Sequence, residues 1–310
     1  MKYRNPSRIN KNISVIGFGA WQLGNPEFFG PMEDDVAIQL VHRALEEGVN
    51  LFDTAPGYGS GNSERLLGLA LKDHRNTVFI NTKFGHTADG RTDFSVDALD
   101  ESIQASLSRL QTDYLDGLIL HNPGRELLDG DQAIYQKLKE YKQQGIVRHF
   151  GVSIDSLEEL DIVLHHNNVD IIELMFNIIH QSPKALFAEV EKQGILLMIK
   201  VPLDSGWLSG KYTANTVHTG IRSRWTRETI QTRLEIVNRI KAIVGKDDIA
   251  QDSLRFILAQ VGVTAVIPGV RNEHQLRSNV EAQTSKMSND TILELETLYE
   301  EFIKHQHTPW

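Results

Sequence analysis

Short apolar runs alternate with longer amphipathic stretches along the chain, which is the pattern of repeated strand and helix units. The apolar runs predict eight strands: Val15–Ala20, Asn50–Thr54, Val78–Phe84, Leu115–His121, His149–Ile154, Ile171–Asn177, Leu196–Pro202 and Ala265–Pro268. The amphipathic stretches predict helices over Asp34–Glu47, Ser63–Lys72, Ser95–Leu110, Gln132–Gln144, Ser156–His166, Pro183–Gln193, Gln251–Gln260, Asn272–Gln283 and Asn289–Lys304. Gly48, Gly145 and Gly194 stand where a left-handed residue would end a helix.

The spacing of these units favours one closed (β/α)8 barrel that occupies residues 1–310 as a single domain. Successive strand ends come at regular intervals, and no linker or low-complexity segment divides the chain. A doubly wound nucleotide-binding sheet would need a glycine-rich turn, and Gly17–Gln22 departs from that motif at its last position. The seventh connection carries an insertion, roughly Ser205–Thr229, and a loop of this length is usually functional or mobile.

Three strands in the first half of the chain end on an ionisable side chain. Asp53, Lys83 and His121 each close an apolar run, and Tyr58 follows the first of them closely. A buried strand gains nothing by ending in a charge, and parallel strands bring their carboxyl ends to one rim. The four side chains therefore predict a proton-handling site. Taken singly, each has a structural alternative, as a helix cap, a loop aromatic, a snorkelling strand end or a core histidine.

Composition narrows the function classes. The chain is 40% hydrophobic and 24% charged, as in ordinary globular proteins, and its net charge of -9 argues against a nucleic-acid binder. It contains no cysteine, which excludes thiolate chemistry and fits a reducing cytoplasm. No signal segment or membrane span is expected, and a cytoplasmic monomer is the default. His165-His166 and the His305/His307 pair lack a third ligand at suitable spacing, so no bound metal is expected.

The segment Ala44–Gly59, with Ser63–Gly68 behind it, strongly resembles the signature of the aldo-keto reductase family. The resemblance continues in order through Val78–Lys83, Asp113–His121, Gly151–Ser153, Pro202–Lys211 and Val266–Arg271. It implies a (β/α)8 barrel that reduces carbonyls or oxidises alcohols with a nicotinamide cofactor and without a Rossmann fold. An aldehyde, a ketone or an aldose is the implied small-molecule substrate.

By this resemblance Asp53, Tyr58, Lys83 and His121 form the catalytic tetrad. Tyr58 is then the general acid in reduction and the general base in oxidation, and Lys83 is expected to lower its pKa from about 10. Asp53 is expected to keep Lys83 charged, and His121 to orient the substrate oxygen. The expected substrate mouth is lined by Trp21 and Phe84, whereas Phe28 and Phe29 could line it or simply pack.

The resemblance also implies the cofactor contacts. The family's Ser-Asn pair at the nicotinamide reads Ser153-Ile154 here and its Gln position reads Glu173, so either fewer bonds hold the ring or a neighbour such as Asn177, or water, compensates. Arg271 offers a planar fork of donors suited to a 2′-phosphate, so NADP is favoured over NAD. The full set of expected cofactor contacts is Ser153, Glu173, Pro202, Leu203, Ser205, Gly206, Leu208, Ser209, Lys211, Gly269, Arg271, Gln275 and Asn279.

Two other classes of function stay open. The same barrel could serve as a cofactor-bound binding or regulatory subunit, against which the intact tetrad argues. It could also be a lyase or isomerase without redox chemistry, and failure to bind either dinucleotide would favour that hypothesis.

Overall fold

Eight short strands form one parallel sheet in the computed structural model, which describes residues 1–309 apart from the side chain of Ile221. An antiparallel hairpin of β1 (Tyr3–Arg4) and β2 (Ile13–Ser14) precedes them. The parallel strands are β3 (Phe18–Gly19), β4 (Leu51–Asp53), β5 (Phe79–Phe84), β6 (Leu115–His121), β7 (Val147–Ile154), β8 (Ile171–Met175), β9 (Leu196–Lys200) and β10 (Ala265–Val266). Their order in the sheet is their order along the chain.

The two edges of this sheet meet and close the barrel. Ile16 is bridged in parallel to Val266, and Gly19 to Gly269. The amide of Gly17 donates to the carbonyl of Val266 at 2.8 Å. Because the strand order follows the chain and the edges are joined, the predicted (β/α)8 barrel is confirmed and the doubly wound sheet is excluded.

Helices between the strands cover the outside of the barrel. They are α1 (Pro26–Phe29), α2 (Asp34–Glu46), α3 (Asn62–Leu71), α4 (Val96–Leu110), α5 (Ala133–Gln143), α6 (Leu157–His166), α7 (Phe187–Lys192), α8 (Arg227–Val244), α9 (Ala250–Leu258), α10 (Glu273–Glu281) and α11 (Asn289–Glu301). Gly48, Gly145 and Gly194 have φ angles of 84°, 76° and 67°, so the predicted left-handed helix ends are confirmed. Within residues 1–309, no helix combines the length and the apolar character needed to cross a membrane.

Alternate residues of each strand face the barrel interior. Apolar side chains such as Leu51, Ile119 and Leu196 fill the interior, while their strand neighbours pack outward against the helices in a second, larger cluster. Each fully buried side chain of this kind stabilises the fold by about 1.5–3 kcal/mol. Toward the carboxyl ends of the strands the same parity carries polar side chains, namely Asp53, Asn81, Lys83, His121, Ser153, Glu173 and Lys200. The interior therefore ends in a polar mouth on that side of the barrel.

Several strand predictions were too long, including Ile171–Asn177 and Ala265–Pro268, which end at Met175 and Val266. The predicted strand Val15–Ala20 is reduced to Phe18–Gly19, and the predicted strand Leu196–Pro202 ends at Lys200. The end at Lys200 has a clear cause, because Val201 has a φ of 52° and cannot continue an extended strand.

The helix pattern also missed two elements, the short α1 and the long α8. The region after the insertion forms α8, which begins where the side chain of Thr226 accepts a hydrogen bond from the amide of Thr229. The insertion therefore ends at Thr226 and not at Thr229.

We expect Glu64→Ala to lower the free energy of unfolding by about 3 kcal/mol. The buried carboxylate of Glu64 on α3 accepts from the hydroxyl of Thr82 and from Nε of Arg109, both at 2.6 Å. Without it, two donors lose their acceptor in the space between α3, α4 and β5. Urea unfolding measures the loss. Glu101→Ala, at an exposed position of α4, is the control, and equal stability of the two variants would contradict the prediction.

Candidate active site

The barrel mouth brings together the four residues predicted to handle protons. Asp53 is the last residue of β4, Lys83 lies near the end of β5, and His121 is the last residue of β6. Tyr58 follows β4 in a turn that leads into α3. Its ring centroid is 5.1 Å from Nζ of Lys83 and 6.0 Å from the ring centroid of His121. These side chains lie close together at one rim, as the pattern of charged strand ends predicted.

Lys83 is a fully buried ammonium that donates to two oxygen atoms. Its Nζ lies 2.6 Å from Oδ2 of Asp53 and 3.0 Å from the carbonyl oxygen of Thr54. Burial alone would lower the pKa of Lys83, but the charges of Asp53 and Glu173 outweigh it and raise that pKa above its usual value. Lys83 is therefore charged throughout the neutral range.

Asp53 is held from both sides. Its second oxygen accepts from Nδ2 of Asn81, the residue opposite it in the register of β4 and β5, at 2.7 Å. Burial, and then the nearby charge of Glu173, raise the pKa of Asp53 to about 7, although Lys83 acts in the opposite direction. The two carboxylates share one ammonium, so the interior around Lys83 carries an excess negative charge.

Tyr58 differs from the expectation in one respect. Removal of water from its hydroxyl raises the pKa of Tyr58 above its usual value, and the charges of Asp53 and Glu173 act in the same direction. The charge of Lys83 and a hydrogen bond with it lower the pKa, as predicted, but do not prevail. The prediction of a lowered pKa was wrong chiefly because it left out the burial of the hydroxyl, and also because it counted the charge of Lys83 without those of Asp53 and Glu173.

His121 is a neutral imidazole at the mouth. Burial, followed by the charges of Lys83 and Lys200, lowers the pKa of His121 well below its usual value. Its Nδ1 is buried and has no hydrogen-bond partner within residues 1–309. A second imidazole, His86, lies with its centroid 4.9 Å from that of His121. Sequence reasoning missed His86, which follows β5 in an ordinary loop and closes no apolar run.

Glu173 contacts donors of the protein itself. Its Oε1 accepts from the hydroxyl of Ser153 at 3.1 Å, and its Oε2 lies 3.2 Å from Nζ of Lys83. Burial would raise the pKa of Glu173, but Lys83 and Lys200 outweigh it, and the pKa is lowered. Glu173 is thus an anion directed at Lys83, a contact that the sequence prediction did not include.

Lys200 is a second cation at the mouth, and the sequence analysis missed it. Its Nζ lies 2.6 Å from Oδ1 of Asn122, 2.8 Å from Oγ of Ser153 and 2.8 Å from Oδ1 of Asp155. The apolar run before it, ending at Ile199, carried the same strand-end signal as the first three. That signal was lost because the predicted strand ran on to Pro202.

The nicotinamide end of the predicted cofactor site therefore has a different polar arrangement from the expected one. Ile154 is buried against the helices and contributes no polar atom to the mouth. Asn177 does not compensate, because its Nδ2 donates to the carbonyl of Val201 and its Oδ1 accepts from the amides of Ile179 and His180. Asn122 is the amide beside Ser153: its Oδ1 lies 3.0 Å from Oγ of Ser153 and accepts from Nζ of Lys200.

The loop after β9 begins with an unusual backbone. Asp204 and Ser205 have φ angles of 45° and 55°, in the left-handed region, which costs a non-glycine residue roughly 1–2 kcal/mol. Gly206 follows at 99°, which glycine adopts without that cost. A buried ion pair between Asp204 and Arg233 of α8 anchors this turn from below.

The rest of the insertion folds back onto this turn. The hydroxyl of Tyr212 and Nε of Arg222 both donate to the carbonyl of Ser205 at 3.1 Å, and Oγ of Ser209 donates to the carbonyl of Gly206 at 2.6 Å. The other predicted phosphate contacts differ in exposure: Pro202 and Leu208 are buried, Leu203 is half-buried and Lys211 is exposed. The backbone of Leu208 is also engaged, since its amide donates to the carbonyl of Leu203 at 3.1 Å and its carbonyl accepts from the hydroxyl of Ser253 at 3.2 Å.

The predicted adenosine residues lie after β10 and on α10. Oε1 of Gln275 accepts from the amide of Arg271 at 2.9 Å, which caps the turn. Asn279 is 4% exposed, and its Nδ2 has no partner within residues 1–309. The guanidinium of Arg271 forms no ion pair within that part of the chain. Gly269 packs closely against Gln22, because a Cβ added at Gly269 would lie only 2.8 Å from Nε2 of Gln22.

The aromatic residues divide between mouth and core. The ring centroid of Trp21 lies 5.1 Å from that of Phe29, 6.0 Å from that of Phe28 and 6.3 Å from that of Tyr58. Phe84 is 1% exposed and packs with the strand-to-helix core against Phe94. Its parity is opposite to that of Lys83, so its position gives Phe84 a packing role and not the predicted place in the mouth.

Within residues 1–309, no group of three or more His, Asp or Glu side chains is arranged to hold a metal ion. The polar side chains that meet at the mouth are a phenol, a buried ammonium between two carboxylates, and a neutral imidazole.

Residues 15–300 match the model of the Aldo/keto reductase family. The chain belongs to this family of oxidoreductases. The uncharacterized oxidoreductase YqkF of Bacillus subtilis is 27% identical, over 92% of this chain and 92% of that protein. The NADH-specific methylglyoxal reductase of Escherichia coli is 27% identical, over 89% of this chain and 91% of that protein. The holo form of aldo-keto reductase AKR11C1 from Bacillus halodurans, 24% identical over 100% of both chains, shares the fold with a TM-score of 0.83.

We expect the imidazole of His121 to be neutral at pH 6.5, the ordinary midpoint of histidine, because its pKa is lowered by burial and by two ammonium groups. Ring-proton NMR across the acid range, with the signal assigned by loss in His121→Asn, measures its midpoint. A blocked histidine peptide in the same buffer is the reference. A midpoint at or above that of the peptide would contradict this electrostatic environment.

Proposed function

We propose that the chain is an NADP(H)-dependent reductase that interconverts an aldehyde or ketone and the corresponding alcohol, with Tyr58 as the general acid and base. The observation that carries this proposal is the convergence of Asp53, Tyr58, Lys83 and His121 at one barrel mouth, with the 2.6 Å contact between Lys83 and Asp53 at its base. The family resemblance of these residues and the family membership of the chain support it.

The polar residues divide the reaction between them. A bound nicotinamide cofactor supplies the hydride. Tyr58, which stays a phenol in the neutral range, gives its proton to the carbonyl oxygen in reduction, and the charge of Lys83 stabilises the phenolate that remains. His121 is neutral and able to donate a hydrogen bond to the same oxygen, which holds the carbonyl toward Tyr58.

The mouth favours a small carbonyl compound. Trp21 and Phe29 form an aromatic wall beside Tyr58, and the imidazole of His86 completes the other side next to His121. Such a mouth fits the short aldehydes, ketones and aldoses that the sequence predicts. Methylglyoxal, the compound in the name of the Escherichia coli relative, is a carbonyl compound of this class.

The chain offers polar groups that fit a dinucleotide. Asn279 has a buried amide donor without a partner, and Arg271 has a guanidinium without an ion pair, both within residues 1–309. Lys211 and Arg222 in the insertion also lack carboxylate partners there. Arg271 would hold a 2′-phosphate, and Lys211 with the turn at Ser205 would hold the pyrophosphate. We further propose a cytoplasmic monomer, as the sequence suggests.

Tyr58→Phe is expected to reduce turnover about 10²- to 10⁴-fold, because it removes the proton donor and little else. Oxidation of NADPH, followed by absorbance across a panel of aldehydes, ketones and aldoses, measures the loss. Tyr299→Phe, on α11, is the matched control. Unchanged turnover in Tyr58→Phe would reject the catalytic assignment. Failure of wild-type protein with bound NADPH to react with any compound on the panel would favour a binding function instead.

Arg271→Gln is expected to weaken NADPH binding about tenfold or more and to leave NADH binding unchanged, because only NADPH carries the 2′-phosphate that Arg271 would hold. Fluorescence titration with each dinucleotide gives the two dissociation constants. Arg277→Gln, on the exposed face of α10 where Arg277 pairs with Glu273, is the control. An equal loss for both dinucleotides would contradict the proposed contact.

A further inference from the structure

Lys83 faces two carboxylates, although the proposed tetrad gives it only one. The second is Glu173 of β8, whose Oε2 lies 3.2 Å from Nζ of Lys83. Both carboxylates are nearly buried, and the ammonium between them is fully buried. Such an arrangement is costly unless each charge has a use or a partner, so Glu173 needs an explanation beyond cofactor binding.

We propose that Glu173 is a positioning residue that acts through Lys83 and keeps Tyr58 in its protonated form, so that the phenolate needed for alcohol oxidation forms only at higher pH. This inference rests on the proposed function, because it concerns the proton of Tyr58.

The first argument is geometric. An ammonium has three hydrogens to donate, and Asp53 and the carbonyl of Thr54 accept two of them from Lys83. The third can go to the oxygen of Tyr58 or to Oε2 of Glu173, which compete for it. Glu173 is fixed for this competition because its other oxygen accepts from the hydroxyl of Ser153 at 3.1 Å.

The second argument is the charge balance. Above the pKa of Asp53, which is about 7, Asp53 and Glu173 carry two negative charges against the single positive charge of Lys83. Ionisation of Tyr58 would add a third negative charge a few ångströms away. Lys200 offsets only part of this excess: it lowers the pKa of Glu173, but its ammonium is also paired with Asp155 at 2.8 Å. The raised pKa of Tyr58, for which burial is the first cause and Glu173 one of the charged ones, agrees with this balance.

The remaining groups at the mouth add no further charge. His121 on β6 is neutral, and His86 in the loop after β5 has its pKa lowered by burial. Asn81 and Asn122 are uncharged amides. The groups that face Tyr58 with charge are thus Asp53, Lys83 and Glu173, and Glu173 is the one that can be replaced without removing a tetrad member.

The test compares wild-type protein with Glu173→Gln, which keeps the size of the side chain and an acceptor for Ser153. In a plot of the rate of alcohol oxidation against pH, the rise in rate is expected to occur about one to two pH units lower in this variant. Glu158→Gln, in the exposed first turn of α6, is the matched control and is expected to leave the profile in place. Glu173→Met removes the charge without placing an amide hydrogen beside Lys83, and is expected to shift the profile in the same direction.

A second measurement does not depend on turnover or on cofactor. The ultraviolet absorbance of phenolate is titrated in Glu173→Gln and in wild type, each against its Tyr58→Phe counterpart, so that the difference isolates Tyr58 among the seven tyrosines. We expect the Tyr58 signal to develop at lower pH when Glu173 is replaced.

The outcomes separate the inference from the function on which it rests. An unchanged absorbance titration and an unchanged pH profile, in variants that fold and bind dinucleotide, would overturn the role of Glu173. Weaker dinucleotide binding with no shift in either measurement would make Glu173 a cofactor contact only, and would also overturn it. If Tyr58→Phe retains full turnover, the proposed function fails, while the absorbance titration still decides whether Glu173 controls the proton of Tyr58.

Discussion

The arrangement of this site depends on one buried ion pair that crosses two neighbouring strands. Asp53 closes β4 and Lys83 lies near the end of β5, with a 2.6 Å contact between their charged atoms. Removing one partner of such a pair typically costs about 3–5 kcal/mol, because the other charge is left without compensation in the interior. The pair is buried just below the polar mouth of the barrel, with the phenol of Tyr58 beside it and the imidazole of His121 next to that phenol.

A second buried ion pair has a comparable place in the cofactor loop. Asp204 and Ser205 adopt a backbone conformation that non-glycine residues disfavour, and the guanidinium of Arg233 on α8 holds Asp204 in place. The strain of this turn is thus offset by packing of a helix that lies outside the barrel wall. The two ion pairs anchor the barrel mouth and the loop after β9 to different layers of the fold.

The sequence predicted the barrel, and the meeting of the charged strand ends at one mouth, because both depend on local patterns. Asp53, Lys83 and His121 each end an apolar run, and parallel strands bring such ends together. The role of Phe84 was mistaken because alternate residues face opposite sides, so a neighbour of Lys83 faces the helices. The direction of the Tyr58 pKa could not be predicted, since it depends first on how deeply the closed barrel buries the hydroxyl and then on the charges that the barrel gathers around it, including that of Glu173. Lys200 also follows an apolar run, but nothing in the sequence indicated that the left-handed backbone of Val201 ends the strand there.

Arg233 also joins the cofactor loop to the end of the described chain. The same guanidinium that pairs with Asp204 donates to the carbonyl of Pro309 at 2.7 Å. The turn beside Ser205 and the segment at Pro309 therefore share one anchor, and the order of one is thermodynamically linked to the order of the other. A ligand that stabilises the turn will slow the fraying of residues 308–309, and a fusion partner attached after them will be felt at the turn. For anyone building variants of this protein, the opposite terminus is the place for an affinity tag.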